Sequence, residues 1–558
     1  MAKQLAIYSP VGSMALPDQP FGKDVANLGL YRALARYGGF ERIDIQTAQP
    51  LDAGQLAEGL LLKQQLRAGL AVPAIARRSL LDLQGAVDAG LLLRGQPYLG
   101  ELAWMRRRYS ADNAFSLVGL IHTLAPPAIR EQIGAVLETP VRPWDALICT
   151  SPAVRHGVEA MLAAWQEHMA QELGAQRFLL PQLPIIPLAV NVPQIRAQAQ
   201  APGARESLRQ ELGLVDEDLM VLWVGRLSYF EKAFPQPMFA AVQQAARRTG
   251  KRLYFALVGW FANGQADLEL FHEAARVHAP HAVIAVLDGR NSEILARCWA
   301  AADVFLSLVD NAQETFGLAP VEAMAAGLPV VVSDWNGYRF TVKDQKEGFL
   351  IPTLVAPAGA IADELAASHQ LGLQSYQNYV GAAAQHTAVA IEQAAAALVK
   401  LVESPELRRR MGEAGQRTAA QRFDWPVVVA QYLALFAELE SLRSCQPAPG
   451  TGARANHPLR GNPLADFGHF ASHQLAPDTC LLLGPNPAGF SSQTALDLAY
   501  GSYRANPGEL QQALAIVSAD PGISVKKLLA SFAVERQDAL QMGLVWMIKI
   551  GILDWLKT

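Results

Sequence analysis

The sequence predicts an α/β protein with two doubly wound domains and a small, mainly helical domain at its C-terminus. Its 558 residues exceed what a single hydrophobic core holds, so two or more domains are expected. Short apolar runs alternate with helix-like segments through two long regions, which indicates βαβ units and parallel sheets. A segment rich in Pro, Gly and small residues then separates these regions from the end of the chain.

Residues 1–205 form the predicted N-terminal domain, with residues 191–205 as its linker to the next domain. Apolar runs predict its strands at residues 5–11, 43–47, 116–124, 146–151 and 185–190. Residues 51–108 are interpreted as a helical excursion inserted among these strands.

Residues 206–424 form the second predicted domain. Its strands are continuous apolar runs, which are typical of strands covered on both faces. They are predicted at residues 221–227, 254–260, 284–288, 303–308 and 328–333.

The remaining sequence is predicted to be helical. A helix at residues 425–443 is expected to cross back and brace the N-terminal domain, residues 444–463 to form a linker, and residues 464–558 a small domain. In that domain, Ser524 is predicted to cap a helix that begins at Val525. Basic and acidic side chains are nearly balanced there, which favours protein docking or oligomerisation over nucleic-acid binding.

The composition indicates a globular protein of a reducing compartment. The hydrophobic fraction is 51%, the charged fraction 18% and the net charge −4, which gives no support to nucleic acid as a partner. The four cysteines form no CxxC pair, which favours buried thiols. No signal-peptide pattern and no apolar run of about 18 residues is found, so we expect a cytoplasmic protein. Peripheral contact with the inner face of a membrane stays open.

The densest chemical signal is the segment QETFGLAPVEAMAAGLPVVVSD at residues 313–334. A strand is predicted to end before it, and a helix to begin near Leu318 at the carboxyl edge of the sheet. The backbone N–H groups of Phe316, Gly317 and Leu318 would then lie at a helix N-terminus, which binds phosphate. Gly317 permits a close approach of the backbone.

Two glutamates flank this helix start. Glu322 lies in the first turns, where its carboxylate can accept hydrogen bonds from a ribose diol, and Glu314 lies in the preceding loop, within reach of a sugar beyond the diphosphate. Either glutamate alone could simply favour the helix dipole. The pair around TFG, eight positions apart, favours a nucleotide-sugar site.

Two cations follow the first strand of the second domain. In VLWVGRLSYFEKAF, Arg226 and Lys232 lie on the loop after the strand, where they could neutralise a leaving diphosphate. An exposed basic loop is the alternative. With two cations and a helix terminus available, no metal ion is needed, and no DxD motif stands at a fitting strand end. We also expect no prosthetic group.

The segment ETFGLAPVEAMAAGLPVV closely resembles the E-x7-E motif of family 4 retaining glycosyltransferases, which have the GT-B fold. The sequences SDWNGYRFTVKDQKEGFLIPT and RFDWPVVVAQYLALF are also similar to that family. The resemblance covers about residues 1–445 and is strongest at residues 218–353. It implies two Rossmann-like doubly wound domains facing across a cleft, the first for the acceptor and the second for a nucleotide-diphosphate sugar, with UDP- or GDP-sugars expected.

The resemblance implies roles in the donor site for the residues already singled out. Glu314 contacts the donor sugar, the backbone of Phe316, Gly317 and Leu318 meets the diphosphate, and Glu322 holds the ribose. Arg226 and Lys232 face the diphosphate.

The resemblance also implies roles for residues outside these segments. The base lies near Gly289 and Arg290, and His122 contacts the donor sugar. Gly22 stands in the family's glycine loop, where the usual second glycine is replaced by Lys23. Arg290 could equally be a surface residue, and His122 a hydrogen-bonded histidine at a strand end.

The resemblance implies a metal-independent front-face displacement that retains the anomeric configuration. The acceptor is left open among glycans, lipid-linked glycans, proteins and small molecules. Three alternatives stand beside a transferase: a nucleotide-sugar 2-epimerase or phosphorylase of the same fold, a non-catalytic protein that binds nucleotide-sugar or glycan in an assembly, and a function centred on the C-terminal domain.

Overall fold

The computed structural model describes residues 3–10, 21–446 and 456–556. The chain divides into two compact units, Met1–Ala455 and Asn456–Thr558. The division falls within the predicted linker at 444–463, of which residues 447–455 lie outside the described residues, as does Val11 at the end of the first predicted strand.

The first unit opens with a parallel sheet of six strands in the order β3-β2-β1-β4-β5-β6. The strands are β1 (Gln4–Tyr8), β2 (Arg42–Gln46), β3 (Ala74–Arg78), β4 (Leu91–Arg94), β5 (Ser116–Ile121) and β6 (Ala146–Cys149). The helices around them are α1 (Gly22–Tyr37), α2 (Ala53–Gly59), α3 (Leu62–Arg67), α4 (Gln84–Ala89), α5 (Leu99–Tyr109), α6 (Pro127–Gly134) and α7 (Pro152–Leu173).

The prediction of a helical excursion at residues 51–108 is wrong in part. That segment holds four helices, but it also supplies strands β3 and β4 to the central sheet. Both strands are short, with the sequences AIARR and LLLR. Ala, Leu and Arg have high helix propensity, and burial in the sheet overrides that propensity here.

The predicted strand at 185–190 and the predicted linker at 191–205 are also wrong. The first segment makes only isolated bridges, from Ile185 to Cys149 and from Val190 to Asp424. Prolines recur through PQLPIIPLAV, and proline cannot donate to a strand ladder. The linker instead forms the helix α8 (Val192–Ala199), capped by Asn191, whose side chain accepts from the N–H of Gln194 at 3.2 Å.

The second sheet of this unit is also parallel, in the order β12-β11-β10-β7-β8-β9. Its strands are β7 (Leu219–Val224), β8 (Leu253–Gly259), β9 (Val283–Asp288), β10 (Val304–Ser307), β11 (Val330–Ser333) and β12 (Gly348–Ile351). The helices that accompany it are α9 (Ala204–Glu211), α10 (Gln236–Thr249), α11 (Gln265–His278), α12 (Ser292–Ala301), α13 (Leu318–Ala326) and α14 (Tyr338–Thr341).

A two-stranded antiparallel arm follows, formed by β13 (Thr353–Val355) and β14 (Thr387–Val389). Between its strands lie two helices, α15 (Ala360–Gln370) and α16 (Tyr376–Gln385). The unit ends with α17 (Ile391–Glu403), α18 (Pro405–Arg422) and α19 (Trp425–Ser444).

Helix α19 packs on the first sheet. Its buried side chains Val428, Val429 and Tyr432 share a hydrophobic core with Leu5 of β1 and Ile43 of β2. Apolar burial of this extent contributes roughly 1.5–3 kcal/mol for each fully buried large side chain. The helix therefore ties the end of the first unit to its beginning.

The second unit is mainly helical and also contains a small antiparallel sheet in the order β16-β15-β17. The strands are β15 (Cys480–Leu483), β16 (Ile523–Ser524) and β17 (Leu553–Trp555), and the helices are α20 (Pro463–Asp466), α21 (Ala495–Leu498), α22 (Pro507–Ala519), α23 (Val525–Leu529) and α24 (Gln537–Lys549). The predicted cap at Ser524 is confirmed, since its side chain accepts from the N–H of Lys527 at 3.3 Å.

In the described part of the chain, no helix combines the length and the apolar character needed to cross a bilayer.

Candidate active site

Helix α13 starts shortly after the carboxyl end of β10. Gly317 precedes the helix with φ of +90°, a conformation that glycine adopts readily. Among the described residues, no acceptor is found for the backbone N–H groups of Phe316, Gly317 and Leu318. These three donors and the positive end of the helix dipole are therefore available to a phosphate.

Gly317→Ala is expected to damage this helix start. A Cβ at position 317 would lie 2.0 Å from the ring of Tyr338, which is buried and exchanges a hydrogen bond with Ser307. The positive φ adds strain of about 1–2 kcal/mol. Chemical denaturation should show a loss in free energy of unfolding of at least about that size, together with weaker nucleotide binding.

Gly359→Ala is the matched control for Gly317→Ala. Gly359 precedes helix α15 with φ of −176°, and a Cβ there would meet nothing within 4 Å. We expect this variant to behave like the parent protein. Equal stability and equal nucleotide affinity for the two variants would contradict the importance of the Gly317 conformation.

Glu314 and Lys232 meet in the site although they belong to different loops. The Lys232 ammonium donates to the Glu314 carboxylate at 3.0 Å, and the two residues lie 82 positions apart in sequence. The carboxylate is almost buried, while the ammonium is 34% exposed. Lys232 thus holds Glu314 in place and keeps further N–H donors for an anion.

Arg226 lies on the same loop as Lys232, directly after β7. Its guanidinium pairs with Glu231 at 2.6 Å and covers the ring of Phe21, whose centroid lies 4.9 Å away. Burial lowers its pKa from the ordinary value, but a guanidinium stays charged at any pH of interest. The guanidinium is therefore held on one side by Phe21, from the first half of the unit, and on the other side by Glu231 of its own loop.

Glu322 is a half-buried carboxylate on helix α13. In the part of the chain that the structure describes, it has no hydrogen-bond or ion-pair partner. Burial raises its pKa to about 7. A carboxylate in such surroundings gains from any ligand hydroxyl that donates to it.

His122 directly follows β5 of the first sheet, whereas Glu314 and Lys232 belong to loops of the second sheet. Its Nε2 lies 2.8 Å from Oδ1 of Asn27, and burial lowers its pKa to about 4, so the imidazole is neutral near pH 7. The Thr315 hydroxyl donates to the backbone carbonyl of His122 at 2.7 Å. The loop that carries Glu314 is therefore bonded directly to the first sheet's edge.

Gly289 and Arg290 directly follow β9. A Cβ at Gly289 would lie 2.9 Å from the backbone of Gly259, so the ends of β8 and β9 touch closely. Arg290 is exposed and pairs with Asp288 at 2.9 Å. A cavity of about 360 Å³ opens here, lined by Trp260 and Leu287 among others.

Gly22 opens helix α1, and within the described residues a Cβ there would meet nothing within 4 Å. No close approach to the described backbone therefore requires a glycine at this position. The neighbouring Lys23 places its ammonium 5.9 Å from the centroid of the Phe21 ring. The structure brings Glu314, Lys232, His122 and the start of α13 together, whereas it does not bring Gly22 into contact with them.

Sequence reasoning missed two residues that shape the loop between β10 and α13, which carries Glu314 and is called the motif loop below. Asn311 donates to the carbonyl of Phe230 at 2.7 Å and so joins the loop of Glu314 to the loop of Arg226. Next to it, Asp310 accepts from the N–H of Phe234 at 3.2 Å, and burial raises its pKa to about 8. The sequence does contain a signal for them, an Asp–Asn pair shortly after a buried strand, since both residues favour turns.

No group of three or more His, Cys, Asp or Glu side chains could hold a metal ion within residues 3–10, 21–446 and 456–556. The metal independence of the chemistry stays a prediction.

The fold that carries this site is GT-B: two parallel, doubly wound sheets within one unit, with the motif loop of the second bonded to the edge of the first. The solved structure of Alr3699/HepE from Anabaena, in complex with UDP and glucose, is similar with a TM-score of 0.50 at 16% identity, over 78% of this chain and 99% of that chain. Residues 204–370 match the family model described as glycosyl transferases group 1.

Curated glycosyltransferases are similar to parts of this chain. The D-inositol 3-phosphate glycosyltransferase of Rhodococcus erythropolis is 29% identical over 257 residues, which are 45% of this chain and 54% of that protein. The D-inositol 3-phosphate glycosyltransferase 2 of Catenulispora acidiphila is 32% identical over 179 residues, which are 30% of this chain and 40% of that protein. The chain spans about half the length of the curated relatives it matches.

Proposed function

We propose that the protein transfers a sugar from a nucleotide-diphosphate sugar to a hydroxyl of an acceptor, with retention of the anomeric configuration. One observation carries the proposal: Lys232, Glu314 and the unpartnered N–H groups at the start of α13 converge at the carboxyl edge of the second sheet. An anion site beside a fixed carboxylate suits a diphosphate that carries a sugar.

In the proposed reaction, each group of the site has a distinct task. The N–H groups of residues 316–318, Arg226 and Lys232 bind the diphosphate, Glu322 accepts from the ribose hydroxyls, and Glu314 with neutral His122 orients the sugar. The base lies in the cavity beside Trp260, near Gly289 and Arg290. Preorganised donors of this kind stabilise the negative charge that develops on the leaving group.

Front-face displacement is the mechanism that we propose. The bond between the anomeric carbon and the diphosphate oxygen breaks, and the acceptor oxygen bonds to the same face of that carbon. The acceptor proton passes to the departing diphosphate oxygen. A double displacement would need a free carboxylate as nucleophile, whereas Glu314 is already bonded to Lys232.

A thermal-shift screen tests the proposal. The full chain is mixed with UDP, GDP, ADP and their sugars, each with and without EDTA. Stabilisation by one base that EDTA does not reduce is expected, about 2.7 kcal/mol at one hundred times the dissociation constant. No shift with any nucleotide would favour a non-catalytic member of the family, and a shift lost in EDTA would contradict metal independence.

Donor affinity should fall as the pH drops through about 7. The empty protein holds Glu322 with its pKa raised to about 7 by burial, whereas the ribose hydroxyls bind best to the ionised carboxylate. The affinity should therefore fall by up to about tenfold between pH 8 and pH 6, since one pKa unit corresponds to about 1.36 kcal/mol. Calorimetry with a nucleotide-sugar measures this directly, because its diphosphate does not titrate in that range.

Glu322→Gln is the control for this pH dependence. The amide cannot ionise, so its affinity should be weaker but flat between pH 6 and pH 8. His122 does not interfere, because its pKa of about 4 leaves it neutral throughout. A profile that keeps its slope in this variant would assign the titration to another group.

We also propose that the C-terminal unit serves docking or oligomerisation rather than chemistry. Several of its large apolar side chains are exposed, among them Leu459 and Leu496 at 88% and Tyr500 at 83%. Deletion of residues 456–558 should leave donor binding by the first unit unchanged, as calorimetry can test. Loss of donor binding in a folded truncation would place the functional centre in the second unit.

The four cysteines are free thiols. They support the cytoplasmic location that we propose for the protein.

A further inference from the structure

Helices α15 and α16 interrupt the arm formed by β13 and β14 and lie against the second sheet's loops. Helix α16 approaches the loop of Arg226 so closely that a Cβ at Gly381 would lie 3.0 Å from Cβ of Phe230. None of the tasks assigned above to the donor site uses these helices.

A cavity of about 890 Å³ lies between this helix pair and the loops that follow β7 and β8. Aromatic rings line one part of it, among them Tyr229, Phe234 and Trp260. Carboxamides of helix α16 line another part, among them Gln377 and Gln385. Cavities of this size hold small ligands or short chains of sugar units.

The polar groups of the cavity suit a neutral ligand with many hydroxyls. Within the described residues, the side-chain amides of Gln377 and Gln385 have no hydrogen-bond partner. Each amide offers both a donor and an acceptor, as each hydroxyl does. Among the described residues, the charged side chains of the lining are Arg226 and Glu231, which neutralise each other at 2.6 Å.

We propose that this cavity binds the sugar units of a neutral oligosaccharide, which is the acceptor of the transfer. Sugar rings present apolar faces to aromatic side chains and hydroxyl edges to amides, which is the combination that the cavity offers. The proposal rests on the proposed function and adds the acceptor class to it. It places the acceptor mainly against the loops of the second sheet, with Phe21 as the contribution of the domain that the resemblance gives to the acceptor.

The position of the cavity fits an acceptor rather than the donor. Its lining contains neither Glu314 nor Glu322 nor residues 316–318. It does contain Arg226, which we assign to the diphosphate, and Phe21 from the first half of the unit. Trp260 lines both this cavity and the cavity assigned above to the base, so an oligosaccharide here would lie directly beside the bound donor and its departing diphosphate.

The test measures binding of four neutral trisaccharides to the full chain by calorimetry: maltotriose, cellotriose, mannotriose and triacetylchitotriose. At least one should bind, and Q377A/Q385A should weaken it at least about tenfold, as expected for two lost hydrogen bonds of ordinary strength. Both glutamines are exposed, so this variant should fold normally. Ala382→Trp, which fills the cavity, should abolish binding.

The control is Gln370→Ala on the neighbouring helix α15, which lies outside the lining and should bind like the parent. If no trisaccharide binds the parent, or if Q377A/Q385A binds as the parent does, the proposal is overturned. Nucleotide-sugar binding is measured on the same samples and should not change. A different result would separate the two proposals. If the parent binds a trisaccharide that Q377A/Q385A does not bind, and neither protein binds a nucleotide, the saccharide site stands and the proposed sugar transfer is contradicted.

Discussion

Lys232→Ala is expected to lower the rate of sugar transfer by about 10²–10³, the cost of one preorganised donor to a developing negative charge. The ammonium lies 3.0 Å from the Glu314 carboxylate, so its loss also leaves that almost buried carboxylate without its cation. Arg226→Ala should have an effect of the same order, because we propose that its guanidinium binds the same leaving group. Steady-state kinetics with saturating donor should show the loss mainly in kcat.

A matched control separates this effect from a general loss of positive charge. Lys251 is exposed and lies beyond the end of α10, so Lys251→Ala should leave turnover unchanged. Near-wild-type turnover in both Lys232→Ala and Arg226→Ala would remove these cations from the catalytic machinery.

Arg106→Met should cost about 3–5 kcal/mol in the free energy of unfolding, the largest stability effect that we expect from one substitution. Arg106 and Asp145 are both fully buried, and the guanidinium donates to the two carboxylate oxygens at 2.7 and 2.8 Å. It also donates to the carbonyl of Phe115 at 2.6 Å. The methionine leaves Asp145 charged, buried and without its cation, and urea denaturation measures the cost.

Two further variants test the explanation. Arg106→Met combined with Asp145→Leu removes both charges, so it should recover much of the lost stability. Arg155→Met removes an exposed ion pair with Glu159, of which both side chains are nearly half exposed, and should change stability little. A double variant no more stable than Arg106→Met would show that backbone bonds of Asp145, rather than its buried charge, dominate.

Five strands of the second sheet could be predicted from the sequence because they are long or rich in Val, Phe and Leu, whereas β12, with the sequence GFLI, was not predicted. The first sheet could be predicted only in part. The strand β4 consists of LLLR, which no local pattern distinguishes from a buried helical turn. Its place between β1 and β5 is decided by tertiary packing, which the sequence does not display.

The candidate site shows the same division. The start of α13, Gly317 and Glu322 belong to one continuous segment, so local rules of helix termini suffice to predict their arrangement. The pairing of Glu314 with Lys232 spans 82 residues, and only the resemblance suggested that they meet. Gln377 and Gln385 gave no signal, because an amide on an exposed helix looks the same whether or not a cavity lies beneath it.

The hydrogen bond from the Thr315 hydroxyl to the His122 carbonyl joins residues 193 positions apart, next to the carboxylate that we assign to the sugar. It makes Glu314 mechanically dependent on the position of the first sheet. Separation of the two sheets would pull on the motif loop at the residue that follows Glu314. The orientation of a bound sugar would then change together with the closure of the cleft. An open enzyme could therefore hold its nucleotide without presenting the anomeric carbon for attack.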